Sequence, residues 1–186
     1  MVQQTIFTTS GYVEPAQLKM YLENGVDFLA LPPILRVLLS TDGTVTKTLE
    51  AYFWEPLDVI SEKQFEIQQA ELPELAIDLD ADSRVLYRQV RLCGRKTQRS
   101  YASAKTYVNL SALPEPVSAD LEARKIGVGE VIRESGIETF REVLRVGRTS
   151  DKRKLWRCYR ILLKNQPVMQ ISEYFPLELY QQNSSV

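Results

Sequence analysis

Two strand-length segments joined by a tight turn lie near the C-terminus, and they restrict the fold more than any other feature. Pro167–Phe175 reads PVMQISEYF and alternates with period two. Val168, Gln170, Ser172 and Tyr174 fall on one face, and Met169, Ile171, Glu173 and Phe175 on the other. Lys154–Leu163 is the preceding strand, and Asn165-Gln166 is the turn between them. Segments of the same kind recur at Leu57–Gln68, Ser83–Gly94, Arg99–Leu110 and Glu138–Val146. Gly94-Arg95-Lys96 and Gly147–Asp151 supply turns. Helical patterns occupy Pro15–Asn24, Pro33–Ser40 and Val45–Trp54 before the first strand, and Val117–Arg124 and Gly129–Glu134 in the middle of the chain. The acidic stretch Glu71–Asp82, with Pro73, reads as a connection. Six strands, mostly hairpin-connected, with helices before and between them, predict an α+β fold with a mainly antiparallel sheet. The 186 residues suit a single domain, with residues 1–13 as a loose arm.

Charged residues interrupt the apolar faces of three of these strands. Glu173 lies with Met169, Ile171 and Phe175. Arg88 lies with Leu86, Val90 and Leu92, and Arg160 with Trp156, Cys158 and Leu162. A buried charge is costly unless it is paired. Two readings stand level: a structural Arg–Glu–Arg triad, or an enclosed polar site for an anionic ligand, whose carboxylates suit guanidinium groups. Two glycine-containing helix starts, TDGTV and GVGEV, add backbone N–H groups that favour anions. Neither has the spacing or the lysine of a phosphate-binding loop.

The composition removes several chemistries. The chain has no histidine, which excludes histidine triads, histidine acid–base catalysis and histidine metal sites. Cys93 and Cys158 stand far apart without a CxxC motif, and read as buried thiols of a reducing compartment. The acidic spacing of Glu71–Asp82 matches no metal-binding loop. A net charge of -1 provides no general attraction to nucleic acid or to an anionic membrane, so an anion must be held by local groups. The first residues are polar, and the most apolar stretch, Val26–Leu39, is broken by Pro32, Pro33 and Arg36. A cytoplasmic protein that does not insert into a membrane is expected.

Four segments carry a resemblance to a known family: TVTKTLEAYF (44–53), DSRVLYRQVRLC (82–93), ARKIGVGEVIRE (123–134) and PVMQISEYFPLELY (167–180). In order, spacing and charged residues the chain resembles the chorismate lyase family, and within it the chorismate lyase-like branch. The resemblance spans about Leu35 to Tyr180 and implies a six-stranded antiparallel sheet with helices covering an enclosed ligand site. It implies conversion of chorismate to 4-hydroxybenzoate and pyruvate, without cofactor or metal. Within the family the product feeds quinone or phenolic-lipid synthesis. The resemblance puts the family's site arginine on Arg88 and its glutamate on Glu173. Two backbone contacts fall on Val45 and Val131. The family's P-L-G is Glu130-Val131-Ile132 here, which leaves Gly129 and Glu130 as alternatives for the second contact.

For this chemistry Arg88 and Glu173 are expected to orient the hydroxyl end of the ring. The backbone at Val45 and Val131 would take the ring carboxylate. Arg160, with Lys105 as the weaker candidate, would meet the enolpyruvyl carboxylate or ether oxygen. Glu173 acts either as a base or only as an orienting group. The alternative function is a non-catalytic module of the same fold that binds or senses an aromatic acid. The expected partners are the small molecules alone, and the expected state is a monomer.

Overall fold

Six strands of ten or eleven residues dominate the chain because their β-branched, aromatic and alternating residues have two helix-covered or solvent faces to choose between, not one helical stripe. The computed structural model describes residues 22–23, 25–41, 44–123 and 127–181. The elements are β1 (Leu22–Glu23), α1 (Pro33–Ser40), α2 (Val45–Phe53), β2 (Leu57–Ile67), β3 (Val85–Gly94), β4 (Ser100–Asn109), α3 (Glu115–Ala123), α4 (Val128–Ser135), β5 (Thr139–Arg148), β6 (Lys154–Leu163), β7 (Gln166–Pro176) and α5 (Glu178–Gln181), with 3-10 turns at Gln69–Glu71 and Leu110–Ala112. The expected α1 matches its observed bounds, and the expected α2 and strands agree within about two residues, the usual uncertainty of such ends. The expected helix at Pro15–Asn24 lies outside the described residues except for Leu22–Glu23, which are strand.

The sheet order is β1-β5-β6-β7-β4-β3-β2. The meanders β2-β3-β4 and β5-β6-β7 meet where β4 pairs antiparallel with β7, so β7 is central. Only β1 runs parallel, with Leu22 opposite Val146. Six antiparallel strands therefore make the body of the sheet, as the sequence predicts, and β1 is a two-residue addition at one edge.

The main core lies between the helices and one face of the sheet. Leu35, Leu38 and Leu39 of α1, Leu49 of α2 and Leu121 of α3 are fully or almost fully buried with Leu155, Ile161 and Phe175. Two local devices fix the helices. Pro33 begins α1 at a position where its missing N–H costs nothing. After α2, Trp54 takes a left-handed conformation (φ 55°), and Glu55 folds onto the β3–β4 turn. Its carboxylate accepts from the Lys96 N–H (3.0 Å), the Thr97 N–H (3.2 Å), the Thr97 hydroxyl (2.8 Å) and the Tyr101 hydroxyl.

The β6–β7 hairpin turns at Lys164-Asn165, both with positive φ, one residue earlier than the sequence suggests. Pairing runs Leu163 to Gln166 and Leu162 to Pro167, then shifts, so that Ile161 faces Met169 and Arg157 faces Glu173. Val168 is the extra residue of a β-bulge. A second shift in β5 lies between Val143 and Arg145. These shifts decide which side chains point at the helices.

Candidate active site

A glutamate held by a tyrosine and an arginine forms the centre of the inner sheet face. Glu173 is 8% exposed and Arg157 is 1% exposed. Arg157 donates from Nε to the Glu173 Oε2 at 2.7 Å, and the Tyr159 hydroxyl donates to Oε1 at 3.1 Å. Each carboxylate oxygen thus accepts a bond from a different neighbour, which sets the plane and direction of the group. Arg157 also donates from Nη1 to the Thr41 carbonyl at 2.6 Å, and its guanidinium lies 4.9 Å from the centre of the Tyr159 ring. Burial, then the adjacent Glu173 charge, pushes the Tyr159 phenol well above the ordinary tyrosine range. Tyr159 therefore remains a hydrogen-bond donor at neutral pH.

Glu173 and Tyr159 line a cavity of about 350 Å³, within the size range of small-molecule sites. Val90, Leu92, Ala104, Ile161 and Ile171 provide its apolar floor. Arg88 enters from β3 and is 2% exposed; burial lowers its pKa from the usual arginine value, yet a guanidinium keeps its charge. Arg141 enters from β5, opposite Ile161. The first turns of α2 (Thr44–Lys47) and α4 (Gly127–Glu130) close the other side. Neither helix has a side-chain N-cap bond. The first backbone bonds onto the caps come from Thr48 in α2 and from Glu130 and Val131 in α4, so the preceding amides stand outside the helical ladder. A methyl group placed on Gly129 would lie 3.7 Å from the Arg141 Nη2 and 3.9 Å from the Thr44 Cγ2. Both helix N-termini and the Arg141 guanidinium therefore meet at one corner. The site can receive an anion with more than one charged group and a polar group directed at Glu173. Among the described residues no cluster of His, Cys, Asp or Glu is placed to hold a metal ion, and no helix is long and apolar enough to cross a membrane.

A family model described as chorismate pyruvate-lyase, Rv2949c-like, matches residues 39–183. The chain belongs to this family. It is 28% identical over 162 residues to the chorismate pyruvate-lyase of Mycobacterium leprae (strain TN), covering 79% of this chain and 76% of that protein. The chorismate pyruvate-lyase of Mycobacterium tuberculosis (strain ATCC 25618 / H37Rv) is 28% identical over 163 residues, covering 76% and 78%. Among solved structures, the C-terminal domain of the histidine utilization repressor from Pseudomonas syringae pv. tomato aligns with a TM-score of 0.48 at 14% identity, covering 64% of this chain and 91% of that one. Membership of this lyase family rests on the sequence matches.

Of the residues expected in the site, Val45, Arg88 and Glu173 line the cavity. Arg88 and Glu173 are not direct neighbours: β4 lies between their strands, and they are one same-face step apart along the sheet. That spacing puts their Cα atoms about 12 Å apart. The partner of Glu173 is Arg157. Val131 is buried in α4, and its N–H is bonded to the Gly127 carbonyl at 3.2 Å. The cavity wall there is Gly127–Glu130, and the Glu130 N–H is likewise bonded to the Gly127 carbonyl, at 3.0 Å. The structure does not bring Arg160 or Lys105 to the cavity. Arg160 pairs with Glu142 at 2.5 Å on the opposite sheet face, because the bulge at Val168 turns the other face of β6 inward. Lys105 is exposed and lies over the Tyr174 ring at 6.0 Å, since Ala104 is the β4 residue that faces Glu173. Arg157, Tyr159 and Arg141 were not singled out from the sequence. The signal available for Arg157 was its place between Leu155 and Tyr159 in the alternation of β6.

Proposed function

We propose that the chain catalyses the conversion of chorismate to 4-hydroxybenzoate and pyruvate. The observation that carries this reading is one cavity with cationic groups on opposite walls, Arg88 on one side and Arg141 with two helix N-termini on the other, and an oriented carboxylate, Glu173, between them. Chorismate is a dianion with a ring carboxylate, an enolpyruvyl ether at C3 and a hydroxyl at C4, and its charges suit such an arrangement. In the reaction the C3–O ether bond breaks and the C4–H hydrogen leaves. The ring gains its third double bond, and the hydrogen appears in the methyl group of pyruvate. The atoms balance without water, oxidant or reductant.

Two routes satisfy this balance. A base can remove the C4 hydrogen as enolpyruvate departs, or the hydrogen can pass directly to the enolpyruvyl methylene in a six-membered cyclic step. Glu173 already accepts bonds on both oxygens from Arg157 and Tyr159. That arrangement suits an acceptor that orients the C4 hydroxyl, and the cyclic route then needs no protein base. The protein's contribution is to hold the ring and the side chain in the reactive conformation and to stabilise charge on the departing oxygen through Arg88.

The test is incubation of purified protein with chorismate, with 4-hydroxybenzoate followed by chromatography and pyruvate by coupled reduction to lactate. Equal release of the two products is expected. Absence of both, with 4-hydroxybenzoate still bound, would replace the lyase reading with that of an aromatic-acid-binding module.

A further inference from the structure

We infer that the Thr106 hydroxyl donates a hydrogen bond to the C3 ether oxygen of the substrate, an inference that rests on the lyase reading. Thr106 lies in the middle of β4 and shares its inner face with Ala102, Ala104 and Val108. It is 4% exposed, and its side chain borders the cavity. Among the described residues its hydroxyl makes no hydrogen bond. Threonine suits a strand, but valine has the same shape and suits it equally. The strand therefore accounts for the shape of the side chain and not for its oxygen. A buried hydroxyl without a partner destabilises the protein that carries it. The same hydroxyl is useful where a ligand supplies the partner.

Register puts Thr106 between Arg88 and Glu173. It faces Arg88 directly across the β3–β4 pair and Ile171 across the β4–β7 pair. Glu173 faces Ala104, one same-face step along β4. Standard strand spacing puts the Thr106 Cα about 5 Å from that of Arg88 and about 8 Å from that of Glu173. Chorismate carries its C4 hydroxyl and its C3 ether oxygen on adjacent ring carbons, and the enolpyruvyl carboxylate lies beyond the ether. With the hydroxyl on Glu173 and the enolpyruvyl side toward Arg88, the ether oxygen lies between them, over Thr106. The surrounding floor is Val90, Leu92, Ala104, Ile161 and Ile171, whose side chains have no donor. The C3–O bond breaks and its electron pair goes to that oxygen, which becomes the carbonyl oxygen of pyruvate. The C4 hydrogen goes to the methylene carbon, and Thr106 keeps its proton. A donor fixed beside the oxygen binds it more strongly as charge develops there.

The test compares wild type with Thr106→Val and Thr106→Ser. Chorismate conversion is followed in single turnover, 4-hydroxybenzoate binding by calorimetric titration, and stability by urea titration. Single turnover reads the chemical step apart from product release. Thr106→Val should slow conversion about 10- to 100-fold, the effect of one removed donor. It should leave 4-hydroxybenzoate binding within about twofold, because the product has no ether oxygen. Its urea midpoint should equal or exceed that of wild type, because the hydroxyl has no partner to lose. Thr106→Ser keeps the hydroxyl and should recover most of the rate. Conversion by Thr106→Val within about twofold of wild type would overturn the assignment alone, with the lyase reading intact. A lower urea midpoint together with weaker product binding would mean a structural role and overturn it as well. Wild type that releases no product from chorismate would remove the lyase reading and the assignment with it.

Discussion

Replacing Arg157 by methionine should destabilise the protein strongly, and the structure gives the size of the effect. Arg157 is 1% exposed and donates to Glu173 and to the Thr41 carbonyl. The substitution leaves a buried carboxylate that still accepts from the Tyr159 hydroxyl but has lost its cation. Breaking a buried ion pair on one side costs about 3–5 kcal/mol, a large part of the about 5–15 kcal/mol that holds a typical domain together. At about 2–4 °C per kcal/mol for a chain of this length, the melting temperature should fall by about 6–20 °C. Circular dichroism melts and urea titrations at pH 7 measure this directly. The double variant Arg157→Met, Glu173→Leu removes both charges at similar volume and should recover most of the stability while abolishing turnover. A loss below about 1 kcal/mol in the single variant, the size of an exposed pair, would falsify the claim that the cluster is held by this bond. A double variant less stable than Arg157→Met would do the same.

Three further outcomes test other parts of the structure. Glu55 has its pKa lowered to about 2, first by the Tyr101 hydroxyl, with burial opposing and Thr97 and the Lys96 N–H adding to it. A folded pKa below the unfolded value of about 4.3 gives stability that is present above that pH and is lost as pH falls toward the folded value. Glu55→Gln should therefore flatten the acid limb of melting temperature against pH between about 4.3 and 2, and an unchanged limb would show that the carboxylate does not hold the turn. Arg160→Gln should leave chorismate turnover within about twofold, because the side chain is on the outer face; a loss of tenfold or more would mean that the face assignment of β6 is wrong. Gly147→Ala would bring a methyl group 2.6 Å from the Trp156 ring across the β5–β6 pair and should cost about 1–3 kcal/mol in a urea titration; an unchanged midpoint would mean that Trp156 moves aside freely.

Much of the fold can be read from the sequence because its signals are local. Pro33 marks the start of α1, Pro56 follows the end of α2, and alternation marks six strands within a residue or two of their ends. The connection Glu71–Asp82 was also readable from its proline and its charge, although not its backbone bonds to β7, such as the Asp78 N–H to the Pro167 carbonyl at 3.2 Å. The two-residue β1 could not be read, since two residues have no period. Glu55 was missed for a related reason: its partners lie on a turn some forty residues later, and nothing within its own segment marks it as buried.

The site is a harder case, because its alternation is ambiguous until the register is known. Both faces of β6 are apolar with one arginine each: Arg157 between Leu155 and Tyr159, and Arg160 between Cys158 and Leu162. If pairing continued unbroken from Leu163 and Gln166, Trp156 would stand opposite Glu173, and Arg160 would share the face of Glu173. The bulge at Val168 reverses this and brings Arg157 and Tyr159 inward. Its trace in the sequence is slight: Pro167, which cannot donate a ladder bond, followed by two hydrophobic residues, Val168 and Met169, both of which are buried. Glu173 was identifiable without that information because its own strand alternates cleanly from Met169 to Phe175. Its partner was not, because the identity of a cross-strand neighbour depends on every residue between it and the turn. A single extra residue in one strand therefore exchanges an outer-face ion pair for the group that orients the glutamate of the cavity.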